Sequence, residues 1–169
     1  MNFNPTDNRE NVFATIASFL QEKNLTVYSK DDKRPWGGFF VLDEMGADKF
    51  IETFFPHLTN AALNITGKLS PKILIVAPDK RLSWQYHHRR AEIWKLIAGE
   101  AAIMVSDSDE ETDIINLTKG DIIELKQGER HRLIGTNNWG IIAEIWRHTD
   151  PNTPSDEDDI VRVQDDFGR

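Results

Sequence analysis

Cysteine is absent from the sequence. That excludes disulfides, a thiol nucleophile and Cys-based zinc sites, so any metal must be held by histidine, carboxylate or amide oxygen. Long hydrophobic runs are missing as well. Ile73 to Ala77 and Ile93 to Ala98 fall far short of the roughly 20 apolar residues that cross a bilayer as a helix. Met1 to Thr6 has neither the positive start nor the apolar stretch of a secretory signal. A cytoplasmic, soluble protein is expected. Positive charge is also scarce, with 20 Lys and Arg against 28 Asp and Glu and a net charge of −8. Nucleic acids and anionic membranes attract basic surfaces, so neither is an expected partner, and an anionic ligand would need a local basic cluster. What remains is a chain of 169 residues, 39% of them apolar, a size that suits one domain.

Helical spacing appears first at Val12, Phe13, Ile16, Phe19 and Leu20, and Asp7 with Glu10 three residues later suggests a capping box. Residues 1–30 are therefore read as an N-terminal helical extension and residues 31–169 as the main domain. A second helical face runs through Phe50, Ile51, Phe54, Phe55, Leu58, Ala62 and Leu63, interrupted by Pro56. This segment, Gly46 to Leu69, is expected to be a lid or flank. Elsewhere the pattern is of short strands: 39–42, 72–76, 82–87, 93–98, 101–105, 114–117, 121–125, 131–134 and 141–147. Turn signals such as Gly99-Glu100, Lys119-Gly120, Gln127-Gly128 and Asn137 to Gly140 separate them. That spacing predicts an all-β, jelly-roll-like barrel. The acidic stretch 107–113 reads as a solvated hairpin tip and 150–159, DPNTPSDEDD, as an exposed connection.

Three of the five histidines lie in RLSWQYHHRRAEIW (Arg81 to Trp94) and GDIIELKQGERHRL (Gly120 to Leu133). Gln85 and His87 share one strand face. Glu92 joins that face only if residues 88–91 turn the chain into the next antiparallel strand, and His131 then arrives from a later one. The resulting set, Gln85, His87, Glu92 and His131, suits Zn²⁺ or another first-row divalent ion, and the neutral Gln leaves most of the ion's charge uncompensated.

The spacing of Gln85, His87 and Glu92, followed by Gly120, Gly128 and His131, resembles the two cupin motifs. More specifically, RPWG (Arg34 to Gly37), RLSWQYHHRRAEIW and DDIVRVQDDFGR (Asp158 to Arg169) are similar to the C-terminal isomerase domain of bifunctional mannose-6-phosphate isomerase/mannose-1-phosphate guanylyltransferase proteins. The resemblance covers residues 33–44 and 72–169. Arg89, Ile93, Lys126 and Gly135 depart from the family pattern without removing a ligand. The segment 46–69 is longer than the pattern, which bears on the barrel's entrance and so on the substrate. The nucleotidyltransferase start GxGTRxxP is absent, so guanylyltransferase activity is not expected.

The resemblance implies a cupin barrel that binds zinc and interconverts mannose 6-phosphate and fructose 6-phosphate, or a related sugar phosphate, with a homodimer as the expected assembly. Single-function isomerases end their site in a segment similar to Asp158-Asp159-Ile160-Val161-Arg162, which makes Arg162 an active-site arginine by resemblance. Arg81, directly before LSWQ, resembles a position where isomerases keep a basic residue. Glu144, within the apolar run IIAEIW, is a candidate for proton transfer because a buried carboxyl has a raised pKa. Residues 79–95 hold five basic side chains against two acidic, and 126–132 three against one, a local charge that suits a phosphate dianion.

Plainer readings stand beside these. The four ligands could form a polar network without metal, and Glu144 could pair with an arginine. Arg89, Arg90, Arg130 and Arg132 individually read as solvated edge residues. His88 faces away from His87, His57 and His148 read as surface histidines, and the five tryptophans read as packing. The ending DDIVRVQDDFGR could serve only as a strap. The alternative function is a non-catalytic module that binds a sugar phosphate or nucleotide sugar, and cupin geometry alone also permits an Fe²⁺ oxygenase.

Overall fold

A computed structural model describes residues 1–64 and 66–168. The chain begins with helix α1 (Arg9–Glu22), which buries Val12, Phe13, Ile16 and Leu20. Its cap is Asn8, whose side chain accepts the Asn11 N–H at 2.8 Å. Asp7, the cap expected from sequence, instead accepts the Asn4 N–H. Each buried apolar side chain on this face contributes about 1.5–3 kcal/mol relative to exposure.

Nine strands follow among the described residues, and every pairing is antiparallel. They are β1 (Val27–Asp31), β2 (Gly37–Leu42), β3 (Lys72–Val76), β4 (Trp84–Tyr86), β5 (Arg90–Ser106), β6 (Ile115–Leu117), β7 (Ile122–Leu125), β8 (Arg130–His148) and β9 (Val161–Gln164). One path runs β1-β2-β3-β8-β4-β9, while β5 pairs with β6, β7 and β8. The long β8 is the hub, contacting β3, β4 and β5 along different stretches.

Sequence reading divides β5 and β8 into two strands each, but each is a single bent strand. Their registers shift at Leu96/Ala98 and Gly99/Ala101. Gly99 has φ +71°, and a Cβ there would lie 1.7 Å from the Trp139 carbonyl oxygen. The glycine therefore marks a bulge with close backbone approach rather than a chain reversal. Strand β1 is the converse case, falling inside the segment read as a helical extension. Its residues are mostly exposed, so it carries no apolar alternation to announce it.

Between β2 and β3 lie a 3₁₀ turn (Glu44–Gly46), α2 (Ala47–Phe54) and the short α3 (Asn60–Leu63), separated by the break around Pro56. The Glu44 carboxylate accepts the N–H groups of Leu69 and Ser70, tying the two ends of the insertion together. Phe50, Phe54 and Phe55 pack with α1 into one core cluster. Strand β3 separates that cluster from the barrel interior. Ile73 and Ile75 face the helices, while Leu74 and Val76 join Trp94, Leu96 and Leu133 inside. Burial on both faces explains why β3 reads as an uninterrupted apolar run after Lys72. No helix among the described residues is long and apolar enough to cross a membrane.

Candidate metal centre and cavity

Strand register brings the expected ligands together. Gln85 in β4 lies opposite His131 in β8, and Glu92 in β5 lies opposite Trp146, further along β8. The chain bends at His88 and Arg89 before β5 begins, which is the turn that Glu92 requires to join His87. The ligating atoms of His87, Glu92 and His131 all lie within 4.8 Å of one another, and all three residues are buried. His87 Nε2 is 3.2 Å from Glu92 Oε1, and His131 Nε2 is 3.4 Å from Glu92 Oε2. Gln85 is buried beside them, with its Oε1 accepting the Ser83 hydroxyl at 2.5 Å.

The donor set fits a divalent ion. Neither Glu92 Oε2 nor His131 Nε2 has a hydrogen-bond partner among the described residues, and orphaned buried polar atoms are costly unless a ligand satisfies them. Two donors each about 2.1 Å from a tetrahedral ion lie about 3.4 Å apart, close to the spacings of this triad. The other ring nitrogens are already used: His87 Nδ1 meets the Asp159 carbonyl at 2.6 Å and His131 Nδ1 the Glu129 carbonyl at 2.9 Å. Donation there places the lone pair of each ring on Nε2, the atom that would face an ion. Burial pushes His87 down to about 4. Burial alone would raise Glu92, but its interactions with the His87 ring, the Arg90 guanidinium and the nearby His131 outweigh it and hold the carboxyl well below its usual value. A neutral imidazole and an ionised carboxylate are the ligand forms that metal binding needs.

One neighbour competes for the same atoms. Arg90 is buried, donates from Nε to Glu92 Oε1 at 2.7 Å and approaches His87 Nε2 with Nη2 at 3.2 Å. Its guanidinium also lies 3.6 Å from the Trp146 ring centroid. Arg90 is therefore no solvated edge residue. Arg132 is likewise buried, held by Glu111 and Gln164. His148, read from sequence as a surface histidine, is buried with Nδ1 accepting the Ser155 N–H, and burial pushes it down to about 4.

Glu92 also lines a cavity of about 600 Å³ together with Gln85, Arg90 and Glu144. Glu144 is buried, with one carboxylate oxygen accepting the Trp94 indole N–H at 2.9 Å and the other the Trp146 indole N–H at 3.0 Å. Burial, reinforced by the charge of Glu92, pushes its pKa up to about 7. Arg162 in β9 lines the same cavity and lies opposite Gln85 in the β4–β9 register.

Arg81, expected in the site, is not among the cavity-lining residues, and its guanidinium forms a bidentate pair with Asp166 at 2.7 and 3.0 Å. Most of the basic residues of the two clusters are engaged outside the cavity too. Of the basic residues in 79–95 and 126–132 only Arg90 lines the cavity. Arg89 pairs with Asp156, Arg130 with Asp109, and Lys95 donates to the Phe54 carbonyl. The acidic stretch 107–113 thus supplies partners for Arg130 and Arg132 as well as forming an exposed tip.

The cavity's cations are instead Lys30, Arg34, Lys72 and Arg162 beside Arg90. Sequence reasoning missed Lys72, which is buried over the Trp146 ring at 4.0 Å and paired with Glu157. Its signal was available, since a lysine two and four residues before Leu74 and Val76 must share their inward face. The insertion 46–69 contributes nothing to the described cavity wall, whereas β1 and Arg34 do. It is a flank rather than a lid. Arg169, the last residue of the terminal motif, lies outside the described residues.

The family model for the mannose-6-phosphate isomerase C-terminal domain matches residues 44–165. The mannose-1-phosphate guanylyltransferase of Escherichia coli (strain K12) is 34% identical over 118 residues, covering 70% of this chain and 23% of that protein. The xanthan biosynthesis protein XanB of Xanthomonas campestris pv. campestris (strain B100) is 29% identical over 136 residues, covering 80% of this chain and 23% of that protein. The chain thus spans about a quarter of the length of these relatives. Among solved structures, vicilin from Corylus avellana gives a TM-score of 0.53 at 17% identity, covering 82% of this chain and 36% of that one. The capsular polysaccharide assembling protein CapF from Staphylococcus aureus gives 0.51 at 14% identity, covering 83% and 34%. At such identities the likeness is one of fold, and that fold is the cupin barrel.

Proposed function

The chain belongs to the mannose-6-phosphate isomerase C-terminal family, and from that premise we propose that it is a metal-dependent aldose–ketose isomerase acting on mannose 6-phosphate and fructose 6-phosphate. The observation that carries this reading is the buried triad His87, Glu92 and His131, with two unsatisfied donor atoms, sharing Glu92 with the wall of a cavity that also holds Glu144. Aldose–ketose isomerisation needs polarised substrate oxygens, a group that moves a proton between C1 and C2, and cations for the phosphate and for developing negative charge.

A divalent ion, most simply Zn²⁺, held by the triad with Gln85 beside it would supply the polarisation. Glu144 is the group that holds or releases a proton. Its pKa of about 7 keeps both protonation states accessible at neutral pH, and the two indoles fix the direction of its carboxylate. Arg162, Arg34 and Lys72 line the wall, Arg34 paired with Asp31 and Lys72 with Glu157, and a phosphate would engage such arginines through charge-assisted hydrogen bonds.

A second reading has one observation in its favour. The Arg90 guanidinium already engages Glu92 Oε1 and approaches His87 Nε2, a built-in cation that suits a metal-free module binding a sugar phosphate without converting it. One experiment separates the two. Zinc-loaded protein is assayed with mannose 6-phosphate, following fructose 6-phosphate formation with and without a chelator. Chelator-sensitive turnover is expected, and binding of mannose 6-phosphate by calorimetry with no ketose formed would replace the isomerase with the module.

A further inference from the structure

The segment before β9 reaches back to the metal centre through Asp159, a buried residue outside both the triad and the cavity lining. Its backbone carbonyl meets His87 Nδ1 at 2.6 Å. Its carboxylate accepts the backbone N–H of His88 at 2.9 Å and of Arg89 at 3.0 Å, and the Ser155 hydroxyl at 2.6 Å. One residue therefore holds the ring of a candidate ligand and also the backbone that follows that ligand. Arg90 holds the segment from the other side. Its Nη1 donates to Ser155 Oγ at 2.9 Å and to the Asp156 and Asp159 carbonyls at 3.0 and 3.3 Å, while Nε donates to Glu92. These anchors are polar, and Glu157 within the segment, though paired with Lys72, is largely exposed, at 66% of its side chain. Segments with few buried apolar contacts open at low free-energy cost.

We propose that Asp159 is a positioning residue of the metal centre, and that docking of residues 155–159 and ion binding by the triad form one linked equilibrium. The inference rests on the triad being a metal centre and is independent of the reaction catalysed. An imidazole ligand is oriented by the acceptor on its other nitrogen. Here that acceptor is a backbone carbonyl, which no substitution deletes, so its position depends on the Asp159 side chain that anchors it. By reciprocity, whatever docking contributes to ion affinity, the ion returns to docking.

The test is a Zn²⁺ competition titration against a chromophoric chelator, run on wild type, D159A, D159N, the ligand variant H131A and, as a remote charge control, E110Q. D159A is expected to weaken Zn²⁺ binding about 10- to 100-fold, the usual effect of losing an outer partner of a histidine ligand. D159N, which keeps one acceptor oxygen, is expected to lose less, and E110Q nothing. Thermal midpoints of the ion-free proteins are recorded alongside, and the Co²⁺ visible spectrum reports ligand geometry in each. In a second arm, a Glu-specific protease attacks Glu157. Added Zn²⁺ should slow that cleavage in wild type and E110Q and have little effect in D159A. If D159A does not fold, D159N carries both arms. Wild-type affinity in the folded Asp159 variants, with Zn²⁺ binding lost in H131A, would overturn this inference alone. Zn²⁺ binding unaffected by H131A, or absent from wild type, would overturn the metal centre and this inference together.

Discussion

Glu144 is set between opposing influences. Burial and the neighbouring charge of Glu92 favour the acid, whereas the charges of Lys72 and Arg90 favour the carboxylate that two indole N–H groups orient, and the balance lies near pH 7. Replacing it by Gln keeps the volume but removes the proton and turns an amide donor toward an indole donor. E144Q is expected to lower kcat about 10²- to 10⁴-fold, the range for a lost acid–base group, with Zn²⁺ stoichiometry unchanged. Turnover within a few-fold of wild type would remove Glu144 from the chemistry. The sequence singles this residue out because a carboxylate inside IIAEIW has no route to solvent. It does not reveal the indoles, since Trp94 lies 50 positions away and only the β5–β8 register brings it across. Arg81 shows the same limit in reverse. Its place beside the ligand strand is legible, but its partner Asp166 lies 85 positions later, so its commitment away from the cavity is a property of the fold.

At the scale of elements, the barrel depends on β5 and β8 bending without interruption, and Gly99 lies close against the β8 backbone at the bulge. G99A combines a left-handed φ of +71° with a Cβ placed 1.7 Å from the Trp139 carbonyl oxygen, so the crossing itself must move. A loss on the order of 3 kcal/mol is expected from strain of this kind. Gly128 has a similar φ of +77° with nothing within 4 Å of its virtual Cβ, so G128A should lose only about 1–2 kcal/mol. Urea unfolding of both variants checks the difference, and equal losses would mean that the crossing is not what requires glycine at 99. This pair also explains which elements are legible. Gly128 lies in a true turn and reads as one, whereas Gly99 has the same local signal with a different cause. Strand β3 was readable to the residue because both its faces are buried, and β1 was not because neither presents a continuous apolar side.

For the whole molecule, burying the His87, Glu92 and His131 triad, and His148 elsewhere, sets how stability responds to pH. In the ion-free protein His87 and His148 are both pushed down to about 4 by burial, while their unfolded counterparts titrate near 6.5. Between these values the unfolded chain binds protons that the folded one refuses, so stability falls as pH falls. Glu144 acts in the opposite sense. Raised to about 7 from 4.5, it keeps a proton in the folded state that the unfolded chain has lost, so its contribution falls as pH rises through that window. Two histidines against one glutamate leave one net proton between pH 6.5 and 4.5, a slope of about 1.4 kcal/mol per pH unit. Below 4.5 the opposition of Glu144 ends, and Glu92, held well below its usual value, adds to the loss. The unfolding free energy from urea titrations should therefore be nearly flat between pH 7 and 6.5 and decline from there to pH 4, most steeply at the acid end. E144Q should steepen the decline between 6.5 and 4.5 toward two net protons, whereas a flat profile in wild type would mean that these histidines are not buried neutral. Added Zn²⁺ should raise the whole curve most at neutral pH and progressively less in acid, because the ligands bind it only when deprotonated.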